Sequence, residues 1–150
     1  LWFGLQWNLP LHETLLYIGS MICVGFVEEV IFRGLLFNAM RKDGLKSAVI
    51  VSSLTFGIGH IVNLFNGSGA QLLSNLCQVG YAAAVGFLFV ILFLKTGSLI
   101  PCIVTHSAVN ALSVFANEGG ITVTQEISSA IAIAMIALVY AIYLLKKVPE

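Results

Sequence analysis

Apolar residues fill five long stretches of the chain, and short polar links separate these stretches. Each stretch reaches roughly the 20 helical residues that cross a bilayer core about 30 Å thick. None alternates apolar and polar residues as the strands of a membrane barrel do. The pattern predicts an all-α fold, a polytopic transmembrane bundle of about five helices. The predicted limits are residues 14–40, 46–65, 71–94, 98–116 and 125–145.

The links between the stretches contain the residues that favour turns. They are residues 41–44, 66–69, 95–97 and 117–120, and each contains glycine. Ser68 lies between two glycines, and we interpret it as a turn residue rather than a nucleophile. Residues 1–7 contain both tryptophans of the chain, which is typical of an interfacial segment. We expect one transmembrane domain over residues 1–150 that lacks N-terminal helices or belongs to a short protein.

Composition supports membrane insertion, because 59% of the residues are hydrophobic, 9% are charged and the mean hydropathy is +0.99. Soluble domains carry roughly 25% charged residues. The formal net charge is zero, so the chain shows no basic excess for nucleic acid. We expect membrane lipids as partners. Cys23, Cys77 and Cys102 show no metal-binding or disulfide spacing and are interpreted as small buried residues.

Basic residues mark one side of the predicted bundle, as the positive-inside rule expects for the cytoplasmic side. Successive links alternate sides, and six of the seven basic residues then share a side; they are Arg41, Lys42, Lys46, Lys95, Lys146 and Lys147. Glu13, Glu118 and Glu126 fall on the other side. We therefore expect a cytoplasmic C-terminus.

Three charged residues lie inside the first predicted helix, in the stretch VGFVEEVIFRGLLF. Glu28, Glu29 and Arg33 lie about 10 to 18 Å from its cytoplasmic end, at about 1.5 Å per residue. Each costs at least about 2.5 to 3.5 kcal/mol there, so internal partners are expected. Glu29 and Arg33 are four residues apart and can pair, whereas Glu28 faces elsewhere. A purely structural ion pair that ties helices together is the simplest alternative to a functional site.

Two histidines and an asparagine reach the same depth on other helices. His60 lies in FGIGHIVN on the second helix, and His106 and Asn110 lie in HSAVN on the fourth. Gly57 and Gly59 are expected to let another helix approach His60 closely. We expect Glu28, His60, His106 and Asn110 to meet around one cavity between the first, second and fourth helices.

This set of side chains suits the hydrolysis of a peptide bond. A carboxylate shielded from water can take a proton from a water molecule, an imidazole can hold that water, and histidine and asparagine can donate to an oxyanion. A pair of catalytic aspartates is excluded because Asp43 is the one aspartate of the sequence. The zinc-protease pattern HExxH is absent from the sequence as well.

Three ordered motifs resemble those of the CAAX prenyl protease and bacteriocin-processing (CPBP, or Abi) family of intramembrane endopeptidases. They are Glu28-Glu29-x-x-x-Arg33, Phe56-x-x-x-His60 and His106-x-x-x-Asn110, and no signature position departs from the pattern. The resemblance implies that Glu28 is the catalytic base, that His60 holds the water, and that His106 and Asn110 form the oxyanion pair. It implies supporting roles for Glu29 and Arg33, to which we add Phe56 and Asn63 from the second motif stretch. It also implies about eight helices, three more than are predicted.

Metal involvement stays open. Glu28, His60 and His106 can form a three-ligand zinc site with an open water position. We favour a metal-free mechanism, because Asn110 suits a donor pair with His106 better than a ligand pair.

Two other functions are compatible with the same residues. One is a non-catalytic immunity or scaffold protein that uses the buried polar cluster to hold a partner, since the family includes members linked to bacteriocin self-immunity. The other is a proton-coupled transporter, although broken half-helices are not evident. We favour an intramembrane endopeptidase of a bacterial plasma membrane that acts on a peptide or a membrane protein.

Overall fold

The described part of the chain folds into five helices joined by short links. The computed structural model describes residues 3–66, 71–117 and 119–148. The helices are α1 (Leu11–Met40), α2 (Leu45–Leu64), α3 (Leu72–Thr96), α4 (Ile100–Phe115) and α5 (Val123–Lys147). Within the described ranges the β structure is limited to one isolated bridge, between Leu5 and Ala116. The predicted all-α fold is confirmed, while the turn at Ser68 and the position of Glu118 lie outside the described residues.

Four of the helices are long and apolar enough to cross a membrane, and α4 is shorter. The predicted fourth stretch spans residues 98–116, but its helix begins at Ile100, ahead of Pro101 in the first turn. It has thirteen α-helical residues followed by three in a 3-10 turn. This length corresponds to about 26 Å, slightly less than a hydrocarbon core of about 30 Å.

Local sequence signals explain several helix ends. The Thr122 hydroxyl accepts from the backbone N–H of Gln125, and the Gln125 side chain accepts from the Thr122 N–H, which forms a capping box at the start of α5. α3 ends at Thr96, and the φ of 64° at the next residue, Gly97, lies in the left-handed region that glycine adopts readily. α1 begins directly after Pro10.

α3 lies at the centre of the bundle, with α2 on one side and α5 on another, and α1 packs along α4. Two apolar clusters show how the helix ends meet. One joins Phe37, Ala48 and Val90, and the other joins Ile91, Ala141 and Leu144. The end of α1, the start of α2 and the ends of α3 and α5 therefore lie together. This arrangement puts the six basic residues outside α1 at one end of the bundle, as link alternation predicts.

Most of the apolar surface faces outward. Of the 18 most apolar consecutive residues of α1, 11% are buried inside the bundle. The corresponding share for the central α3 is 39%. A soluble protein of this size rarely leaves such extended apolar surface uncovered. The exposed faces of the helices suit contact with lipid chains.

Two glycines allow neighbouring helices to approach each other closely. A Cβ added to Gly25 of α1 would lie 2.8 Å from the backbone nitrogen of Ser107 on α4. A Cβ on Gly57 of α2 would lie 2.7 Å from the carbonyl oxygen of Val79 on α3. The predicted close approach is confirmed at Gly57. It is wrong at Gly59, where a Cβ would meet only the Phe32 ring, at an ordinary 3.9 Å.

The second part of α1 is wound as a π-helix. The α-helical hydrogen bonding ends at Glu29, and Val30–Phe37 forms the π-helical stretch. In a π-helix each N–H bonds to the fifth preceding carbonyl, so the turn is wider than in an α-helix. The stretch begins directly after the two adjacent glutamates, and no sequence signal predicts it.

The segment that precedes α1 lies against the end of α4. The Gln6 N–H donates to the carbonyl of Phe115 at 2.9 Å, and Asn8 Nδ2 donates to the carbonyl of Val114 at 2.8 Å. The Trp7 ring lies 5.5 Å from the Phe115 ring, centroid to centroid. These contacts fix the opening segment at the end of the bundle opposite the basic residues.

Candidate active site

A fully buried ion pair on α1 forms the base of the site. Arg33 Nη1 lies 2.9 Å from Glu29 Oε1, and both side chains have no exposed surface. Arg33 Nη2 donates to the carbonyl of Gly86 on α3 at 3.0 Å. The guanidinium also lies 4.2 Å from the ring centroid of Phe56 and 5.3 Å from that of Phe89. The predicted pairing of Glu29 with Arg33 is confirmed, and three helices contribute to it.

His106 of α4 lies between the two adjacent glutamates of α1. Its Nδ1 is 2.8 Å from Glu29 Oε1, and its Nε2 is 3.6 Å from Glu28 Oε2. Glu29 Oε1 therefore contacts both Arg33 and His106. Because Glu29 occupies Nδ1, the other ring nitrogen is directed toward Glu28. The resemblance implied only a supporting role for Glu29, and the structure adds that it orients His106.

Glu28 differs from Glu29 in its surroundings. Its side chain is 31% exposed, and among the described residues its only polar contact is with His106. A separation of 3.6 Å is too long for a direct hydrogen bond. A water molecule beside the pair can contact both atoms at about 2.8 Å. As predicted, Glu28 has no partner within its own helix, and the geometry leaves it able to accept a proton.

Phe56 lies between the two histidines. Its ring centroid is 5.6 Å from that of His60 and 5.5 Å from that of His106, with both pairs edge to face. His60 is half-buried and lies within electrostatic range of His106. Its ring makes no hydrogen bond to any described residue. The structure thus brings His60 to the edge of the cluster but not into contact with Glu28.

Asn110 and Asn63 lie on the helices that carry His106 and His60. Asn110 lies one turn beyond His106 and is half-buried, and its carbonyl accepts from the hydroxyl of Ser113 at 2.7 Å. Within the described residues its side-chain amide makes no hydrogen bond. Asn63 donates to Gln78 Oε1 at 3.0 Å and so connects α2 to α3.

The structure therefore brings together part of the predicted set. His106 contacts both Glu28 and Glu29, and Phe56 lies between His106 and His60. Among the described residues, no hydrogen bond joins Asn110 to this group. The described residues also line a cleft of about 410 Å³ at the other end of α4, and none of the four predicted catalytic residues lines it. Its lining residues are Gln6, Asn8, Leu9, Tyr17, Ser113, Val114, Ala116 and Gly119.

The three residues considered as zinc ligands do not form a metal-binding group in the described part of the chain. In the described part of the chain, no three histidine, cysteine, aspartate or glutamate side chains lie close enough to hold an ion. Glu28, His60 and His106 are therefore not arranged as a ligand set, and we derive no step through a metal ion.

Several residues of the site were missed by the sequence analysis. Ser52 Oγ donates to the carbonyl of Phe32 at 2.9 Å, and Ser107 Oγ donates to the carbonyl of Ile22 at 3.1 Å. Both serines are buried polar residues inside apolar helices, so their depth alone marks them. Gly86 and Phe89 carry no such signal, because they do not stand out in an apolar helix.

Comparison with known proteins agrees with the motifs. The sequence model of the family described as type II CAAX prenyl endopeptidase Rce1-like matches residues 10–112, which is more than half of the chain. No curated protein and no solved structure matches the chain. The match includes all three motifs and the helices that hold them. The chain therefore belongs to the Rce1-like family of type II CAAX prenyl endopeptidases.

Proposed function

We propose that the protein is an intramembrane endopeptidase that hydrolyses a peptide bond with a water molecule activated by Glu28. The family indicates a CAAX protease-type function in the membrane. The observation that carries the assignment of Glu28 is the 3.6 Å separation between Glu28 Oε2 and His106 Nε2. A partly exposed carboxylate faces an imidazole whose other nitrogen is already held by Glu29.

In this mechanism Glu28 takes a proton from the water as the water oxygen bonds to the scissile carbonyl carbon. The carbonyl oxygen becomes an oxyanion. Glu28 then returns the proton to the amide nitrogen, the carbon–nitrogen bond breaks, and the two products are a carboxylic acid and an amine.

His106 and Asn110 are proposed as the oxyanion donors, and His60 as the residue that holds the water. Charge balance supports a donating Nε2 on His106. With Nδ1 donating to Glu29, a second proton on Nε2 gives the cluster two positive groups, Arg33 and His106, against two carboxylates. A neutral cluster is the favourable arrangement in a medium of low dielectric constant.

The surroundings of the site limit the substrate. Glu28 lies about 18 Å from the basic end of α1, at about 1.5 Å per residue, and the helices around it expose apolar surface. We propose a membrane-associated peptide or protein as the substrate, lipids as the surrounding partners and a bacterial plasma membrane as the location. We also propose a cytoplasmic C-terminus, which a reporter enzyme fused after the last helix tests by its activity on the cytoplasmic side.

The experiment compares three forms of the protein in proteoliposomes. The probe is a library of internally quenched peptides that carry a lipid chain. We expect cleavage by the wild type and a loss of about 100-fold or more in Glu28→Gln, because a general base contributes about 10² to 10⁴ in rate. Glu13→Gln is the matched control, since this glutamate lies in the first turn of α1. Equal cleavage by the wild type and Glu28→Gln would show that Glu28 is not the base. No cleavage by the wild type would support a non-catalytic protein.

A further inference from the structure

A buried amide of α3 reaches the backbone of His60. Asn75 is 1% exposed, and its Nδ2 donates to the carbonyl oxygen of His60 at 2.7 Å. Its Oδ1 is buried without a hydrogen-bond partner among the described residues. A half-satisfied amide inside a transmembrane helix is unfavourable compared with leucine. Asn75 thus leaves one buried oxygen without a described partner while its Nδ2 holds the His60 carbonyl.

The backbone changes its winding at the carbonyl that Asn75 holds. α2 is α-helical up to Gly59, and His60–Leu64 forms a 3-10 helix. At such a junction the acceptors change from the fourth to the third residue, and some carbonyls lose regular helical partners. The Asn75 amide supplies a fixed donor there from the neighbouring helix.

A second contact fixes α2 on α3 one turn away. The Gly57 backbone approaches the Val79 carbonyl so closely that it has no space for a Cβ. His60 therefore lies between this close helix contact and the Asn75 hydrogen bond, with its ring against Phe56. Movement of the His60 backbone requires breaking the hydrogen bond from Asn75.

We propose that Asn75 is a positioning residue for His60. Its amide holds the His60 carbonyl so that the imidazole stays beside Phe56, at the edge of the cluster that contains Glu28 and His106. The expected effect on cleavage rests on the proposed function. The expected effect on the position of the His60 ring rests on geometry alone.

The test uses Asn75→Leu, which keeps the side-chain size and removes the donor. We expect kcat to fall by about 10- to 100-fold, as misplaced catalytic groups do, with KM changed by less than about 2-fold. In the full-length protein with labelled histidines, the NMR signal of the His60 ring is expected to shift while that of His12 does not. Assignment follows from the signal that disappears in His60→Gln.

Asn38→Leu is the matched control, because Asn38 Nδ2 also donates to a backbone carbonyl, that of Gly34, at 2.9 Å. It lies near the basic end of α1, and we expect its kcat and the His60 signal to match the wild type. Asn75→Ala provides a second variant if leucine prevents folding. Failure of both variants to fold would overturn the proposal, because Asn75 would then serve the fold as a whole.

The outcomes also separate this proposal from the proposed function. If the wild type cleaves and Asn75→Leu cleaves at the same kcat, the positioning role is wrong and the protease assignment stands. If no form cleaves but the His60 signal shifts in Asn75→Leu, the protease assignment fails and the positioning role stands. An unshifted His60 signal overturns the positioning role in either case.

Discussion

Replacing Glu29 with glutamine removes the charge that two buried groups share. Arg33 and Glu29 are both 0% exposed and 2.9 Å apart, and the same oxygen contacts His106 at 2.8 Å. Breaking one partner of a buried ion pair costs about 3 to 5 kcal/mol. Arg33 retains its bond to Gly86 and its contact with Phe56, so we expect a loss near the lower limit.

The measurement is thermal unfolding in detergent. At about 2 to 4 °C per kcal/mol for a chain of this length, a loss of about 3 kcal/mol lowers the melting temperature by about 6 to 12 °C. Glu28→Gln is the matched control on the next residue, because Glu28 is partly exposed and makes no hydrogen bond to a described residue. We expect its melting temperature to stay within about 2 °C of the wild type while cleavage is lost.

Two results would refute this reasoning. An unchanged melting temperature in Glu29→Gln would mean that the buried pair contributes nothing to stability. A lower melting temperature in Glu28→Gln than in Glu29→Gln would mean that the two glutamates have the opposite roles. Glu29→Gln is also expected to reduce cleavage, because it releases His106 Nδ1.

Three further predictions concern helix packing, the oxyanion site and the metal-free mechanism. Gly57→Ala should destabilise the protein by about 1 to 3 kcal/mol, because its Cβ would lie 2.7 Å from the Val79 carbonyl oxygen; Gly80→Ala, which has nothing within 4 Å, is the control in the same unfolding assay. Asn110→Ala should lower kcat by about 10² to 10³ if its amide donates to the oxyanion, and an unchanged kcat removes it from the site. Cleavage should survive dialysis against a strong chelator, and activity that returns only with added zinc would contradict the metal-free mechanism.

The helices could be predicted because membrane insertion imposes a simple requirement on sequence. A span needs a continuous apolar stretch, and five such stretches correspond to α1 through α5. The shorter α4 could not be predicted from hydropathy, since residues 98–99 are compatible with a helix but the chain turns before Ile100. The π-helical winding of Val30–Phe37 was also missed, because its apolar residues are equally compatible with α-helix.

Local contacts of the site were predictable, and those between helices were not. Glu29 and Arg33 are four residues apart, so helical geometry alone brings them together. Glu29 and His106 are 77 residues apart, and their hydrogen bond depends on how α1 packs against α4. Gly57 and Gly59 are equivalent in sequence terms, yet only Gly57 lies against the backbone of a neighbouring helix. Asn75 carries no sequence signal, because it lies near the end of its apolar stretch, where a polar residue is ordinary.

The wide winding of α1 has a consequence for how freely its sequence can vary. Glu29, Arg33 and Phe37 recur every four residues, and all three are 0% exposed. In an α-helix such positions drift by about 40° at each step, and the wider turn of a π-helix reduces this drift. These three residues on one side of the helix therefore make most of the buried contacts between this stretch and the other helices. Substitutions at the exposed Ile31 and Leu35 need only remain apolar, so mutations can accumulate there while these three buried positions tolerate few.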